Sequence, residues 1–109
     1  MSEHFNALSE AQAEALAFLI EELAEAQQAA CKILRHGYRS SNPLIANSPT
    51  NRTELEKELG DVSEAMLLLD RNGDVSYNSI IEWSKDKRES VKKWMHHQPR
   101  EVAPAKERG

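Results

Sequence analysis

Five carboxylates in two short motifs carry the chemistry available to this sequence. EELAE places Glu21, Glu22 and Glu25 on one side of a helix, and ELGD does the same for Glu58 and Asp61. Like charges at these spacings repel by about 0.2–0.5 kcal/mol per pair. The dipole of the first helix does not offset this, because its effect fades within the first turn and the glutamates lie well beyond it. Lys32 and Arg35, the nearest downstream cations on the same helix, are out of i+4 reach of Glu22 and Glu25. If the two helices are antiparallel neighbours, Glu22, Glu25, Glu58 and Asp61 converge on one point, and a multivalent cation makes that convergence tolerable. Hard oxygen ligands without His or Cys favour Mg²⁺ or Mn²⁺ over zinc.

The elements that must position these groups follow from the hydrophobic pattern. Residues 1–8 read as a lead, and Ser9 with Gln12 forms a capping box that opens the first helix. Leu19, Leu23, Ala26, Ala30 and Ile33 recur in steps of four and three as one apolar seam, and Gly37 is placed to end the helix. Phe18, Glu22, Glu25 and Ala29 run beside that seam, so Glu22 and Glu25 are expected to be at least partly buried. Residues 36–52 hold two prolines, a glycine, three serines and three asparagines, which is the chemistry of a long loop. A second capping box, Thr53 with Glu56, opens the next helix, striped by Leu55, Leu59, Val62, Met66 and Leu69. Arg71–Asp74 is a stop and turn. A third helix is expected from Ser76 or Tyr77 to about His97, with Ile80, Ser84, Lys87, Val91 and Trp94 or Met95 on its stripe.

These elements give an all-α domain over 9–97, an antiparallel helical bundle with a frayed tail at 98–109. Three helices from 109 residues build a modest core. The run Met66–Leu69 is apolar nearly all round and calls for burial on more than one side. A homo-oligomer, dimer or tetramer, would supply it. The composition, 29% charged with a net charge of −4, is that of a globular domain and argues against nucleic acid as the partner. There is no apolar run of membrane-spanning length and no secretory pattern at the N-terminus, and the single cysteine, Cys31, excludes an internal disulfide. The expected location is the cytoplasm, with no membrane partner.

EExxE on one helix followed by ExxD on the next resembles the signature of the all-α NTP pyrophosphatases. That superfamily includes MazG-like proteins, dimeric dUTPases and phosphoribosyl-ATP pyrophosphohydrolases. The chain from about Phe18 to Trp94 is similar to the MazG-like succession of helices, and WSKDKRESVKKW resembles its basic closing helix. The separation of the two motifs, with its loop at 36–52, is longer than the compact MazG spacing and leaves subfamily and substrate open. The resemblance implies a Mg²⁺-dependent hydrolase that cleaves a nucleoside triphosphate between the α and β phosphates, releasing a monophosphate and pyrophosphate. It implies that Glu22, Glu25, Glu58 and Asp61 are the metal ligands. Glu21 would bind a further metal or orient the attacking water.

For substrate contacts, Lys87 on the third stripe either meets a phosphate or carries its ammonium out to water. Tyr38, Arg39, Asn42 and Arg52 are loop candidates for base, sugar or phosphate, each weighed against an ordinary surface role. Phe18 is a candidate pocket wall. Trp83 and Trp94 read as core or interface anchors, His96–His97 as a helix-end cap, and Cys31 as buried. Two alternatives stay within the chemistry, a dUTPase and another single-substrate dNTPase. A non-enzymatic helical interaction protein with solvated acids comes from a different class. A di-iron carboxylate bundle ranks last, because no Glu-x-x-His occurs.

Overall fold

The computed structural model describes residues 5–99. All regular structure in that span is helical: α1 Glu10–His36, α2 Asn51–Arg71, α3 Tyr77–Ser90 and a 3₁₀ turn, Val91–Lys93. The chain divides into two compact units, one ending at Tyr77 and one beginning at Asn78. Residues 1–4 of the lead and 100–109 of the tail lie outside the described residues.

Ser9 caps α1 as its sequence predicts. Its hydroxyl accepts from the Gln12 N–H, and the Gln12 side chain accepts from the Ser9 N–H, so both orphan donors are satisfied. The helix closes at Gly37, whose φ of 88° lies in the left-handed region that a side chain would resist. The cap of α2 lies three residues before the expected Thr53. Thr50 is its cap, accepting from the Thr53 N–H at 3.3 Å. The earlier start is possible because the loop supplies acceptors for the next two amides. Asn51 N–H bonds Ser40 O at 2.8 Å and Arg52 N–H bonds Tyr38 O at 2.9 Å.

The first unit is an antiparallel helix hairpin. Gln12 near the start of α1 donates to Asp74 just past the end of α2 at 3.1 Å, while Asn51 at the start of α2 donates to Gly37 O at the end of α1 at 3.0 Å. What the helices bury between them is small: Ala15, Ala26, Ala29, Ala65 and Leu69, with no large side chain fully enclosed. The inward face of α1 is therefore rotated from the expected seam toward the line of Phe18, Glu22 and Ala29. Leu19 and Ile33 are half-buried, but Leu23 and Ala30 are exposed. On α2, Leu59 is exposed, while Met66, Leu67 and Leu68 are half-buried and Leu69 is buried.

In the second unit, α3 ends seven residues before the expected His97. Ser90 Oγ donates back to Lys87 O at 3.3 Å, and Trp94 N–H bonds Val91 O three residues behind it. Such back-bonding competes with the α-helical ladder, which tightens here to a 3₁₀ turn. No helix among the described residues is long and apolar enough to cross a membrane.

Ala65 is completely enclosed. Ala65→Leu is expected to overpack the contact and cost about 1–3 kcal/mol of stability. Urea unfolding of the variant against the parent checks this.

Candidate metal centre

The alanines of the helix contact determine where the carboxylates go. Ala26 follows Glu22 by four residues, Ala29 follows Glu25 and Ala65 follows Asp61, so each acid shares a face with a buried alanine one turn further on. Because those alanines are small, the two helix axes can approach closely. The ExxE of α1 is thereby laid across the ExxD of α2. Glu22, Glu25, Glu58 and Asp61 each offer an oxygen, and these four oxygens lie within 4.8 Å of one another. Glu22, Glu58 and Asp61 are half-buried. Glu25, expected to be partly buried, is exposed instead, because it stands at the rim of the contact beside an open groove.

The electrostatics of this group are unfavourable as it stands. Glu22 Oε2 and Glu58 Oε2 are shut off from solvent without a hydrogen-bond partner. The Glu58 carboxyl is pushed above its ordinary range, first by burial, then by the hydrogen bond its protonated form gives Glu25, and then by the charges of Glu25 and Asp61. Lys57 opposes the shift. A proton supplies the donor that two facing carboxylates lack, and a cation would serve in its place. Two oxygens on opposite sides of a Mg²⁺ ion stand about 4.2 Å apart, and about 4.6–5.2 Å apart across Ca²⁺. The observed spread is within side-chain adjustment of either. The donor set, its spacing and the two unpartnered oxygens fit a metal ion, and these four residues could hold one.

The other expected site residues of the first unit fall outside this group. Glu21 is exposed, a helix step of about 100° away from Glu22. Phe18 is half-buried one turn before Glu22. Tyr38 and Arg39 are exposed in the loop, and Asn42 stays within the loop, where its Oδ1 accepts from the Leu44 N–H at 2.9 Å. Arg52 pairs with Glu56 at 3.6 Å. In the second unit, the Lys87 ammonium lies 4.9 Å from the centre of the Trp94 ring, a cation–π contact that occupies it locally. Trp94 and Trp83 are themselves exposed, at 60% and 72%. Cys31 is exposed rather than buried, because the inward face of α1 is the one carrying Ala26 and Ala29.

Two residues to which the sequence assigns no role share a groove with part of the centre. Lys32 and Arg35 line the groove that Glu25 and Glu58 also line, and neither has an ion-pair partner among the described residues. Their i, i+3 spacing was the available signal. In a comparison with known protein families, curated proteins and solved structures, nothing matches this chain.

The raised Glu58 pKa gives a signed expectation. The folded state of the metal-free protein holds this proton more tightly than the unfolded chain does. The resulting stability is fully present below pH 4.5 and is lost as pH rises through the raised folded value. Above that value a divalent ion should restore it. At a free concentration of 100 times its dissociation constant, mass action gives about 2.7 kcal/mol. Thermal melts across pH, with Mg²⁺ and with EDTA, check both halves. Glu58→Gln should flatten the pH slope and remove most of the Mg²⁺ response.

Proposed function

We propose that the protein is a Mg²⁺-dependent nucleoside triphosphate pyrophosphohydrolase of MazG-like type, cleaving between the α and β phosphates to give a monophosphate and pyrophosphate. The observation that carries this reading is the convergence of ExxE and ExxD carboxylates across one helix contact, with two enclosed oxygens left unpartnered. Glu22, Glu25, Glu58 and Asp61 would hold the cation, with Mn²⁺ as a substitute for Mg²⁺. When bound, it supplies neutralisation of polyphosphate oxygens and a nucleophilic water near neutral pH. The chain's own contribution is position. The ligands stand on two helices rather than on loops, so their mutual placement is fixed before substrate arrives. Glu21, exposed beside the ligands, would orient the attacking water or join a further metal. A role in cytoplasmic nucleotide-pool control or clean-up follows from this reaction.

The same reading includes a homodimer. The hairpin buries four alanines and one leucine, a thin core for a chain of this length. Leu16, Ile20 and Leu23, at steps of four and three, leave an exposed apolar stripe on α1, and Ile20 is 65% exposed. A second copy laid on that stripe would provide the missing burial.

The test of activity is incubation with a panel of NTPs and dNTPs in Mg²⁺, with separate detection of pyrophosphate and orthophosphate. Pyrophosphate with the matching monophosphate is expected, and Glu22→Gln and Asp61→Asn should each lower turnover at least about a hundredfold with helicity retained. Orthophosphate alone, or full turnover in either variant, would defeat the proposal. For assembly, light scattering should give a dimer at micromolar concentration, and Ile20→Lys should shift it toward monomer.

A further inference from the structure

The loop between α1 and α2 encloses a second feature that the carboxylate centre does not account for. A half-open pocket of about 770 Å³ lies against the last turns of α1, the loop 40–49 and the first turn of α2. That volume falls within the range of about 300–1,000 Å³ typical of small-molecule sites. The loop around it is held in one shape by its own bonds. Its ends are pinned by the Ser41–Thr50 bridge and the two amides donated to Ser40 and Tyr38. Inside the loop, Ser48 Oγ donates to Asn42 O at 3.1 Å and Leu44 N–H donates to Asn42 Oδ1.

The lining is of two kinds. Pro43, Ile45 and Pro49 supply apolar surface, and Asn42, Asn47 and Asn51 supply amides. Asn42 uses its Oδ1 on Leu44, which leaves its NH₂ as a donor. Asn51, 5% exposed, uses its Nδ2 on Gly37 O, which leaves its Oδ1 as an acceptor. Asn47 carries both. Apolar surface combined with amide donors and acceptors suits a heteroaromatic base. Lys32, Arg35 and Glu54 line both this cavity and the groove containing Glu25 and Glu58, so the two spaces share a wall. The helix dipole accounts for cations in the last turn of α1, Arg35 and His36, but Lys32 lies before that turn.

We propose that the loop cavity is the nucleoside subsite of the carboxylate centre, with Asn42, Asn47 and Asn51 reading the base edge and Lys32 and Arg35 bridging to the phosphates. This rests on the hydrolase reading for the identity of the ligand, and on the shared wall for its placement. Glu54 is the one acid in that wall, against two cations.

The test uses the full chain in Mg²⁺ buffer, titrated with AMP, GMP, CMP and UMP and followed by the backbone and asparagine side-chain amides. Ribose 5-phosphate and orthophosphate serve as controls. At least one monophosphate should shift the amides of residues 42–51 and bind about tenfold or more tightly than ribose 5-phosphate. Lys32→Ala and Arg35→Ala, both at exposed positions, should each weaken that binding by about tenfold while leaving the melting temperature unchanged. Asn47→Ala should weaken it selectively for the preferred base. Silence of the loop amides toward all four nucleotides, or equal affinity for ribose 5-phosphate, overturns the subsite. Pyrophosphate release with a silent loop would sink the subsite and leave the hydrolase standing. Loop binding without pyrophosphate release would do the reverse.

Discussion

Mutual repulsion among carboxylates held together by an alanine-lined contact is the constraint around which the hairpin is built. A helix pair closed by leucines would keep its axes further apart and let acids at the rim turn out to water. Here Ala26, Ala29 and Ala65 bring the two backbones close, and the acids one turn before them meet across the seam. The hairpin therefore gains little apolar burial and takes on a charge conflict. The enclosed oxygens of Glu22 and Glu58 and the raised pKa of Glu58 are two expressions of that conflict. A divalent cation bound there would relieve both at once, which would link ion binding to folding.

The loop extends this arrangement. Its carbonyls at Tyr38 and Ser40 satisfy the first amides of α2, so the helix that carries Glu58 and Asp61 is started by the same segment that shapes the cavity. The register of the carboxylates and the walls of the cavity are thus set together. Lys32 and Arg35 separate an anionic space from an amide-lined one.

Much of this was legible in the residues, and the failures have physical causes. The Ser9–Gln12 box and Gly37 mark α1 because local chemistry alone decides those ends. The acidic lines were readable because their spacing puts them on one face in any α-helix. The facing of α1 was misjudged because leucines outrank alanines in hydrophobicity, whereas in close helix packing small side chains occupy the contact and leave Leu23 outside. Glu25 is exposed for a different reason, its place at the rim beside an open groove, and burial of Cys31 is only the default for a free cysteine. The sequence points to Thr53 as the start of α2 because the loop carbonyls that satisfy Asn51 and Arg52 come from ten or more residues away and have no local signature. The early end of α3 depends on a serine whose hydroxyl can turn either outward or back onto its own helix. Lys32 and Arg35 read in the sequence only as cations out of i+4 reach of the acids, and the fold places them on the wall shared by the two spaces.

The most direct test of the central claim is anomalous scattering from crystals grown or soaked in Mn²⁺. The account predicts a manganese peak between α1 and α2, directly coordinated by carboxylate oxygens from Glu22 or Glu25 and from Glu58 or Asp61. Well-ordered carboxylates with no peak between them at millimolar Mn²⁺ would contradict it.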